Sequence, residues 1–399
     1  MDKPPLCALS AAAMNEPNSP NEGPLWIVSD GMVQDLARAL DAAPWIAIDT
    51  ESNSMFAYRE RVCLIQLNAG GRLYLVDPIA LGEAPAPGQV SQTLEALRPA
   101  LEDRSKPKFI HGGEYDAATL SRDFGIHLAG IFDSQQAAAL LGWEKTGYGA
   151  LVERICGVKL AKEYAQYNWG TRPVDERAVD YAVDDVRFLP QVCMHMREEI
   201  RRADLEEELA LALRAVEEMR WHGGFSPEGV WKIRDAHKLS DRQMRILFAL
   251  YCLRDRLAAQ ADRPAGQLIN ERVLVALALR PAKTLHELKA AGVKSAIAAL
   301  RGKELLEAIQ HPEAAGSHAF PEKPKHAPPD EAEKRREAKL REWRKKESER
   351  RGVTLTAVLP AHALMWLKSH GSGDLEAVPQ LGKKRIRLYG ETLKKLCDP

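Results

Sequence analysis

The stretch WIAIDTE, residues 45–51, decides how the fold is read. It is a short apolar run of strand type that ends in two acids, Asp49 and Glu51. Side chains alternate along a strand, so positions 49 and 51 share a face and point both carboxylates the same way. Two like charges held that close are unfavourable unless a cation lies between them. Taken alone, an Asp-x-Glu triplet fits the solvated end of a surface strand equally well.

Downstream, VCLIQL (62–67) and LYLVD (73–77) flank an Asn-Ala-Gly-Gly turn at 68–71, the pattern of a hairpin that pairs with the 45–51 strand. A helical segment near 91–102 leads to a strand at KFI (108–110), and a Gly-Gly turn then opens a helix at Glu114. Asp133 and Ser134 read as the N-cap of a helix through Leu141, and helices dominate from 147 to 221. Strands first, with helices alternating after them, predict an α/β domain with a mixed sheet.

Two more places in this region carry chemistry. Asp116, in HGGEYD, stands just inside the helix that follows the KFI strand; a first-turn acid there also complements the helix dipole. Tyr181 and Asp185, in YAVDDVRFL, are four residues apart and share a helical face, whereas Asp184 points about 100° away. Each signal alone is compatible with an ordinary surface. In order along one chain they supply four carboxylates from three separate elements and a tyrosine beside the last of them. Phosphodiester hydrolysis uses two divalent ions about 3.5–4 Å apart. Hard oxygen ligands suit Mg²⁺ or Mn²⁺.

These residues resemble the ribonuclease D family of the DEDD exonuclease superfamily. DTE (49–51), the aspartate of HGGEYD (Asp116) and the Tyr-x-x-x-Asp of YAVDD (181–185) match its three motifs, and Tyr181 places the chain in the tyrosine branch. The resemblance also covers RVCLIQL (61–67), FDSQQAAALLG (132–142) and NWGTRPVDERAVDYAVDDVRFL (168–189), over residues 25–215. It departs at Asn168, where the family commonly has Asp. The resemblance implies a ribonuclease H-like mixed sheet with helices. The implied activity is a two-metal 3′→5′ exoribonuclease that releases nucleoside 5′-monophosphates. Asp49, Glu51, Asp116 and Asp185 would be the metal ligands, with Tyr181 beside them. Precursors of tRNA are the expected substrate class. Gln66, His111, Lys162 and Arg172 are expected to face the substrate, although a packing or capping role suits each as well. Trp169 reads as a core or loop-anchoring ring.

A chain of 399 residues is too long for one core and predicts two or three domains. No apolar stretch approaches the roughly 18–20 residues needed to span a bilayer, and residues 1–23 read as a disordered tail without the features of a signal peptide. Six scattered cysteines with no Cys-x-x-Cys pair argue against a zinc ribbon or disulfide scaffold and fit a reducing cytoplasm. The net charge of zero hides an asymmetry. Lys+Arg against Asp+Glu is 18 to 28 in residues 1–200 and 38 to 28 in residues 201–399, so the halves carry −10 and +10. An acidic half can concentrate metal ligands and a basic half can hold polyanions; two ordinary surfaces of opposite charge are the alternative.

Beyond residue 236 the pattern is entirely helical, and residues 311–330, rich in Pro, Ala and charge, read as a linker. Residues 245–278 and 339–368 look like two copies of one module: a helix with Arg near its end, a small polar loop and a second apolar helix. Both resemble the HRDC domain, the second copy more closely. The expected order is a tail (1–23), an exonuclease domain (24–215), an HRDC domain (236–310), the linker and a second all-α HRDC domain (331–399). In PQLGKKRIRLYG (379–390), Lys383, Lys384, Arg385 and Arg387 beside a Gly turn form an expected phosphate-binding cluster. HRDC modules also serve as spacers or protein-contact surfaces. The expected whole is a monomeric RNA 3′-end nuclease. A DNA 3′→5′ exonuclease and an inactive RNA-binding scaffold are the alternatives; the absence of polymerase motifs argues against the first, and retention of all five motif residues against the second.

Overall fold

The computed structural model describes residues 23–82, 90–161, 164, 166–313, 318–324 and 330–397. The expected N-terminal tail, apart from Gly23, lies outside the described residues. The chain divides into two compact units. One takes the residues up to Ser52, Val62–Trp221 and the chain from 328 onward; the other takes Asn53–Arg61 and residues 222–327.

The first unit is built on a six-stranded mixed sheet. The strands are β1 (Leu25–Ile27), β2 (Ile46–Ser52), β3 (Val62–Ala69), β4 (Arg72–Val76), β5 (Lys108–Ile110) and β6 (Ile131–Asp133), in the order β1-β4-β3-β2-β5-β6. β2, β3 and β4 form an antiparallel meander, while β5 runs parallel to β2, β6 to β5, and β1 to β4. The β3–β4 turn is the Gly-Gly hairpin read from the sequence. Gly70 and Gly71 both take positive φ, and the Asn68 side chain accepts a bond from the Gly71 amide at 3.0 Å. β3 is buried along its whole length, as a strand covered on both faces must be.

Helices of this unit are α1 (Asp30–Ala42), α2 (Arg98–Glu102), α3 (Glu114–Phe124), α4 (Ser134–Leu140), α5 (Tyr148–Cys156), α6 (Glu176–Arg187), α7 (Leu189–Arg202) and α8 (Glu206–Glu217). α6 crosses β2, β3 and β4, and its Val186 carbonyl accepts from the Asn68 amide nitrogen at 3.2 Å. Asn68, Gln66 and Asp49, the register partner of Gln66, therefore face α6. The helix expected near 91–102 is shorter than its sequence suggested. A single 3₁₀ turn at Glu95–Leu97 runs into α2, whose second residue is Pro99. Proline cannot donate within a helix but is tolerated in its first turn, which fixes where α2 starts.

The second unit holds α9 (Asp241–Ala261), α10 (Ala265–Leu268), α11 (Glu271–Leu279), α12 (Leu285–Ala290) and α13 (Ser295–Gln310). Its core begins earlier than residue 236, with Val230 and Ile233 buried. It also takes in part of the expected linker. Phe320 stands edge-on to Trp231 at 5.7 Å and to Phe248 at 5.3 Å, because a phenyl ring gains more from those contacts than from water. The segment between β2 and β3 belongs to this unit: the Tyr58 hydroxyl donates to both Asp255 carboxylate oxygens, at 2.8 and 2.9 Å, and the Arg59 amide donates to Asp262 at 3.0 Å.

From 330 onward, α14 (Glu331–Arg351), α15 (Leu355–Val358), α16 (Ala361–His370) and α17 (Gly382–Cys397) repeat the order long, one-turn, medium, long seen in α9, α10, α11 and α13, with no counterpart of α12. This group packs within the first unit. The Thr354 hydroxyl donates to the Leu140 carbonyl, and the start of α17 is clamped onto α8. There the Lys384 amide donates to Glu207 at 2.6 Å, and its ammonium pairs with Glu208 at 3.2 Å and Asp204 at 2.9 Å. Gly382, at φ +75°, lets the backbone approach Leu211; a Cβ there would lie 2.4 Å from the Leu211 Cδ1.

This geometry corrects the expected phosphate cluster. Lys384 and Arg385 are buried, and the Arg385 guanidinium is spent on the carbonyls of Thr356, Ala357, Gln380 and Leu381. Charges so placed hold the chain together and do not reach solvent phosphate. Lys383 and Arg387 alone of the four are exposed. Glu208 is 2% exposed, so Lys384→Met strands a buried carboxylate, at a cost of about 3–5 kcal/mol. Adding Glu208→Leu removes the stranded charge and restores most of that loss. Urea unfolding of the two variants measures both effects; a Lys384→Met protein of wild-type stability contradicts the clamp.

Candidate metal centre

Three elements converge on one group of carboxylates. β2 contributes Asp49 and Glu51 from the face under α6, and α6 contributes Asp185. One carboxylate oxygen from each of the three lies within 4.8 Å of the others, close enough to share a cation. α6 is set by its N-cap Asp175, which accepts from the Arg177 amide at 3.0 Å, and by the Tyr148 hydroxyl, which donates to the Asp184 carbonyl at 3.0 Å. Asp184 turns away, as its spacing predicts, and pairs with Arg187 at 3.1 Å.

Asp116 enters from α3 and is 6% exposed. It is not one of the three ligand oxygens that lie mutually close: Thr50, on the opposite face of β2 from Asp49 and Glu51, donates its hydroxyl to it. It remains near enough to raise the proton affinities of both Asp49 and Glu51. The helix that carries it is positioned by Asp133. That carboxylate accepts from the amides of Gly112 (3.0 Å) and Gly113 (2.9 Å) and also caps α4 through Gln135 (2.8 Å). Gly113 is required at this turn, since a Cβ would fall 2.3 Å from Ile110 Cδ1.

The electrostatics are those of a site that wants positive charge. Burial, then the neighbouring carboxylates, raise Asp49 well above the usual carboxylate range and Glu51 to about 9. Burial likewise raises Asp185 to about 7 and Asp116 to about 6. Tyr181, half-buried on α6 four residues before Asp185, is pushed far above its ordinary value by burial and then by Asp185, Glu51 and Asp49. It stays a neutral phenol at physiological pH and can donate or accept a hydrogen bond but not act as a base. A cavity of about 220 Å³ opens beside Tyr181 and Asp185, walled by Leu160, Tyr164, Arg177 and Asp180.

The remaining expected substrate contacts fare differently. Arg172 makes a two-bond pair with Asp77, both at 2.7 Å, and gives its other donors to the carbonyls of Cys63, Trp169 and Thr171; it fastens the loop before α6 and does not face substrate. His111 is bound through Nδ1 to the Ser134 hydroxyl at 2.8 Å and lies against the Tyr148 ring. Lys162 lies outside the described residues. Trp169 is 2% exposed, a core ring packed on Tyr167 and Tyr181. Gln66 is fully buried opposite Asp49, so it cannot touch substrate either; among the described residues nothing bonds its amide oxygen or nitrogen. An unsatisfied buried amide beside crowded acids fits a centre completed by a hydrated cation. Thr50 and Tyr148 were not singled out from the sequence. Period-two alternation turns Thr50 away from the acids, and nothing local announces the reach of Tyr148 across to α6.

Comparison with known proteins agrees with this geometry. The 3′-5′ exonuclease family model matches residues 25–201, and the HRDC domain model matches residues 243–309. The HRDC match thus falls on the first helical copy, not the second, which the sequence favoured. Ribonuclease D of Cronobacter turicensis is 30% identical over 282 residues, covering 69% of this chain and 73% of that protein. Ribonuclease D of Escherichia coli K12 is 29% identical, covering 74% and 76%. Protein RRP6-like 1 of Arabidopsis thaliana is 28% identical, and the chain spans 39% of its length. The crystal structure of E. coli RNase D, described as an exoribonuclease involved in structured RNA processing, superposes with a TM-score of 0.70 at 25% identity, over 94% of this chain and 98% of that one. The catalytic core of RRP6 from Trypanosoma brucei shares the fold, with a TM-score of 0.64 at 21% identity, over 75% of this chain and 82% of that one.

The raised proton affinities give a pH signature. Carboxyl groups whose folded values lie above the unfolded values near 4 bind more protons in the folded state. Their contribution to stability is complete below about pH 4 and is lost as pH rises through the folded values of about 6 to 9. A cation must displace those protons, so it binds better as pH rises. The melting temperature of metal-free protein should fall between about pH 5 and pH 9, and the rise produced by Mn²⁺ should grow over the same interval. Thermal melts in EDTA and in Mn²⁺ measure both; a Mn²⁺ effect independent of pH contradicts the protonated cluster.

Proposed function

The chain belongs to the ribonuclease D family and is a 3′→5′ exoribonuclease, and on that premise we propose that Asp49, Glu51, Asp116 and Asp185 hold two divalent cations, Mg²⁺ or Mn²⁺, with Tyr181 beside them. The observation that carries this reading is the convergence of Asp49, Glu51 and Asp185 oxygens within 4.8 Å, from a strand and a helix far apart in sequence. When bound, the cations supply positive charge against the phosphate and acidify the attacking water.

The chain's own residues do the rest. Asp116, braced by Thr50, completes the acidic wall from the α3 side. The Tyr181 hydroxyl, neutral throughout, orients the attacking water toward the terminal phosphorus. The cavity beside Tyr181 and Asp185 receives the 3′-terminal nucleotide. Water attacks the last phosphodiester, the 3′ oxygen of the penultimate nucleotide leaves, and a nucleoside 5′-monophosphate is released.

The substrates proposed are structured RNAs with 3′ extensions, tRNA precursors first among them, acted on in the cytoplasm by a monomer. The α14–α17 group is proposed as a second HRDC-like module, on the strength of its helix order. No helix among the described residues is long and apolar enough to cross a membrane. Incubation of the protein with 3′-extended tRNA and matched DNA oligonucleotides, with and without Mg²⁺ or Mn²⁺, tests the assignment. Loss of mononucleotide release in EDTA is expected, and preference for DNA contradicts it.

Asp49→Asn and Asp185→Asn should each lower turnover by on the order of 10²–10⁴-fold, through loss of a few kcal/mol of charge stabilisation. Folding should survive, because either change relieves repulsion in the metal-free protein. Tyr181→Phe should lower turnover while Mn²⁺ affinity, read by calorimetry, stays near wild type. Full activity in either Asn variant refutes the two-cation site; parallel loss of metal binding in Tyr181→Phe makes that residue structural.

A further inference from the structure

Next to the acidic centre stands an aromatic pair that the proposed chemistry does not use. Tyr115 immediately precedes Asp116 in the first turn of α3, and 38% of it is exposed. Its hydroxyl is 3.0 Å from the Ser52 hydroxyl, and Ser52 follows Glu51 directly. The ring is thus tethered to the two chain segments that bring Glu51 and Asp116 into the centre. Trp221 backs it, edge-on at 6.1 Å between centroids. The Arg122 guanidinium lies 4.4 Å from the Trp221 centroid, and Asp123 holds it in place with contacts of 2.6 and 2.9 Å.

A large exposed ring is ordinarily a liability at a surface, and a tyrosine needs only one polar partner to satisfy its hydroxyl. Here hydroxyl, edge and backing are all fixed, so the ring has little freedom left to lose on binding. A rigid aromatic face with a guanidinium–indole pair behind it is the chemistry that receives unpaired nucleobases, since every base has a π-face and stacking is indifferent to sequence. Its place beside the carboxylates limits what it can receive to the end of the strand being cut.

We propose that Tyr115, supported by Trp221 and Arg122, stacks a nucleobase within the last two nucleotides of the RNA and so holds the 3′ end in register with the carboxylate centre. This rests on the exoribonuclease reading above and adds a positioning residue to it. The platform makes capture of the end independent of base identity but dependent on there being a base. It also favours ends that are single-stranded, because a paired base has no free face to offer.

The test compares Tyr115→Ala, Tyr115→Phe and wild type on a 3′-extended RNA and on the same RNA lacking bases at its last two positions. Wild-type release of mononucleotide from the intact RNA checks the underlying reading separately. Tyr115→Ala should raise KM on intact RNA by roughly five- to hundred-fold with little change in kcat, as loss of one base–aromatic stack does. On the abasic RNA the same variant should match wild type. Tyr115→Phe, which keeps the ring and loses the Ser52 contact, should stay near wild type on both. Mn²⁺ affinity should be the same in all three proteins. A penalty for Tyr115→Ala that persists undiminished on the abasic RNA overturns the proposal, as does a Tyr115→Phe protein as impaired as Tyr115→Ala; either would make the residue a brace for Ser52 and α3.

Discussion

Mutual repulsion among buried carboxylates is the constraint on which the rest of the first unit depends. Asp49, Glu51, Asp116 and Asp185 are held close by a strand and two helices, and without a cation all four bind protons more tightly than exposed acids do, Asp49 and Glu51 tightly enough to keep them at neutral pH. Such an arrangement costs stability, so the scaffold around it must be stiff. The supports are visible one by one. Thr50 braces Asp116, Asp133 ties the Gly-Gly turn to the α4 N-terminus, Tyr148 and Asp175 set α6, and the Arg172–Asp77 pair fixes the loop before it. All but the exposed Asp175 cap are buried or half-buried hydrogen bonds, and each lies on an element carrying an acid or adjoining one.

Much of the sheet was legible in the sequence because period and punctuation agreed. The run ending in Asp49 and Glu51, the Asn-Ala-Gly-Gly hairpin and the KFI strand each have a local signal, and all three stand where the reading put them. β1 and β6, three residues each, are too short to show a period and were not anticipated. The acids were found by order along the chain, since four residues of spacing define a helical face whatever packs on it. Their supports were not, because Thr50 to Asp116 spans 66 residues and Arg172 to Asp77 spans 95, distances at which no periodicity carries information.

The basic stretch 383–387 shows where composition misleads. Four cations near a glycine turn read as a polyanion site, yet Lys384 and Arg385 face inward and complete α8 and the loops around α17. The i, i+1 adjacency hid this, since neighbouring residues on a helix point about 100° apart and two of the four were bound to turn inward. The +10 charge of the second half of the chain is therefore partly internal wiring.

The nine residues from Asn53 to Arg61 leave the metal-bearing strand, join the second unit and return at β3. Tyr58 must therefore wait for Asp255, a partner 197 residues later, and α8 must wait 176 residues or more for Lys384. During synthesis from the N-terminus, β2 and β3 emerge long before the helix that anchors the excursion between them. The sheet can pair early from its own local hairpin, but this loop and the α8 acids remain unsatisfied until the helical segments have been made. These two attachments are thereby among the last that each polypeptide can make, timed by translation itself.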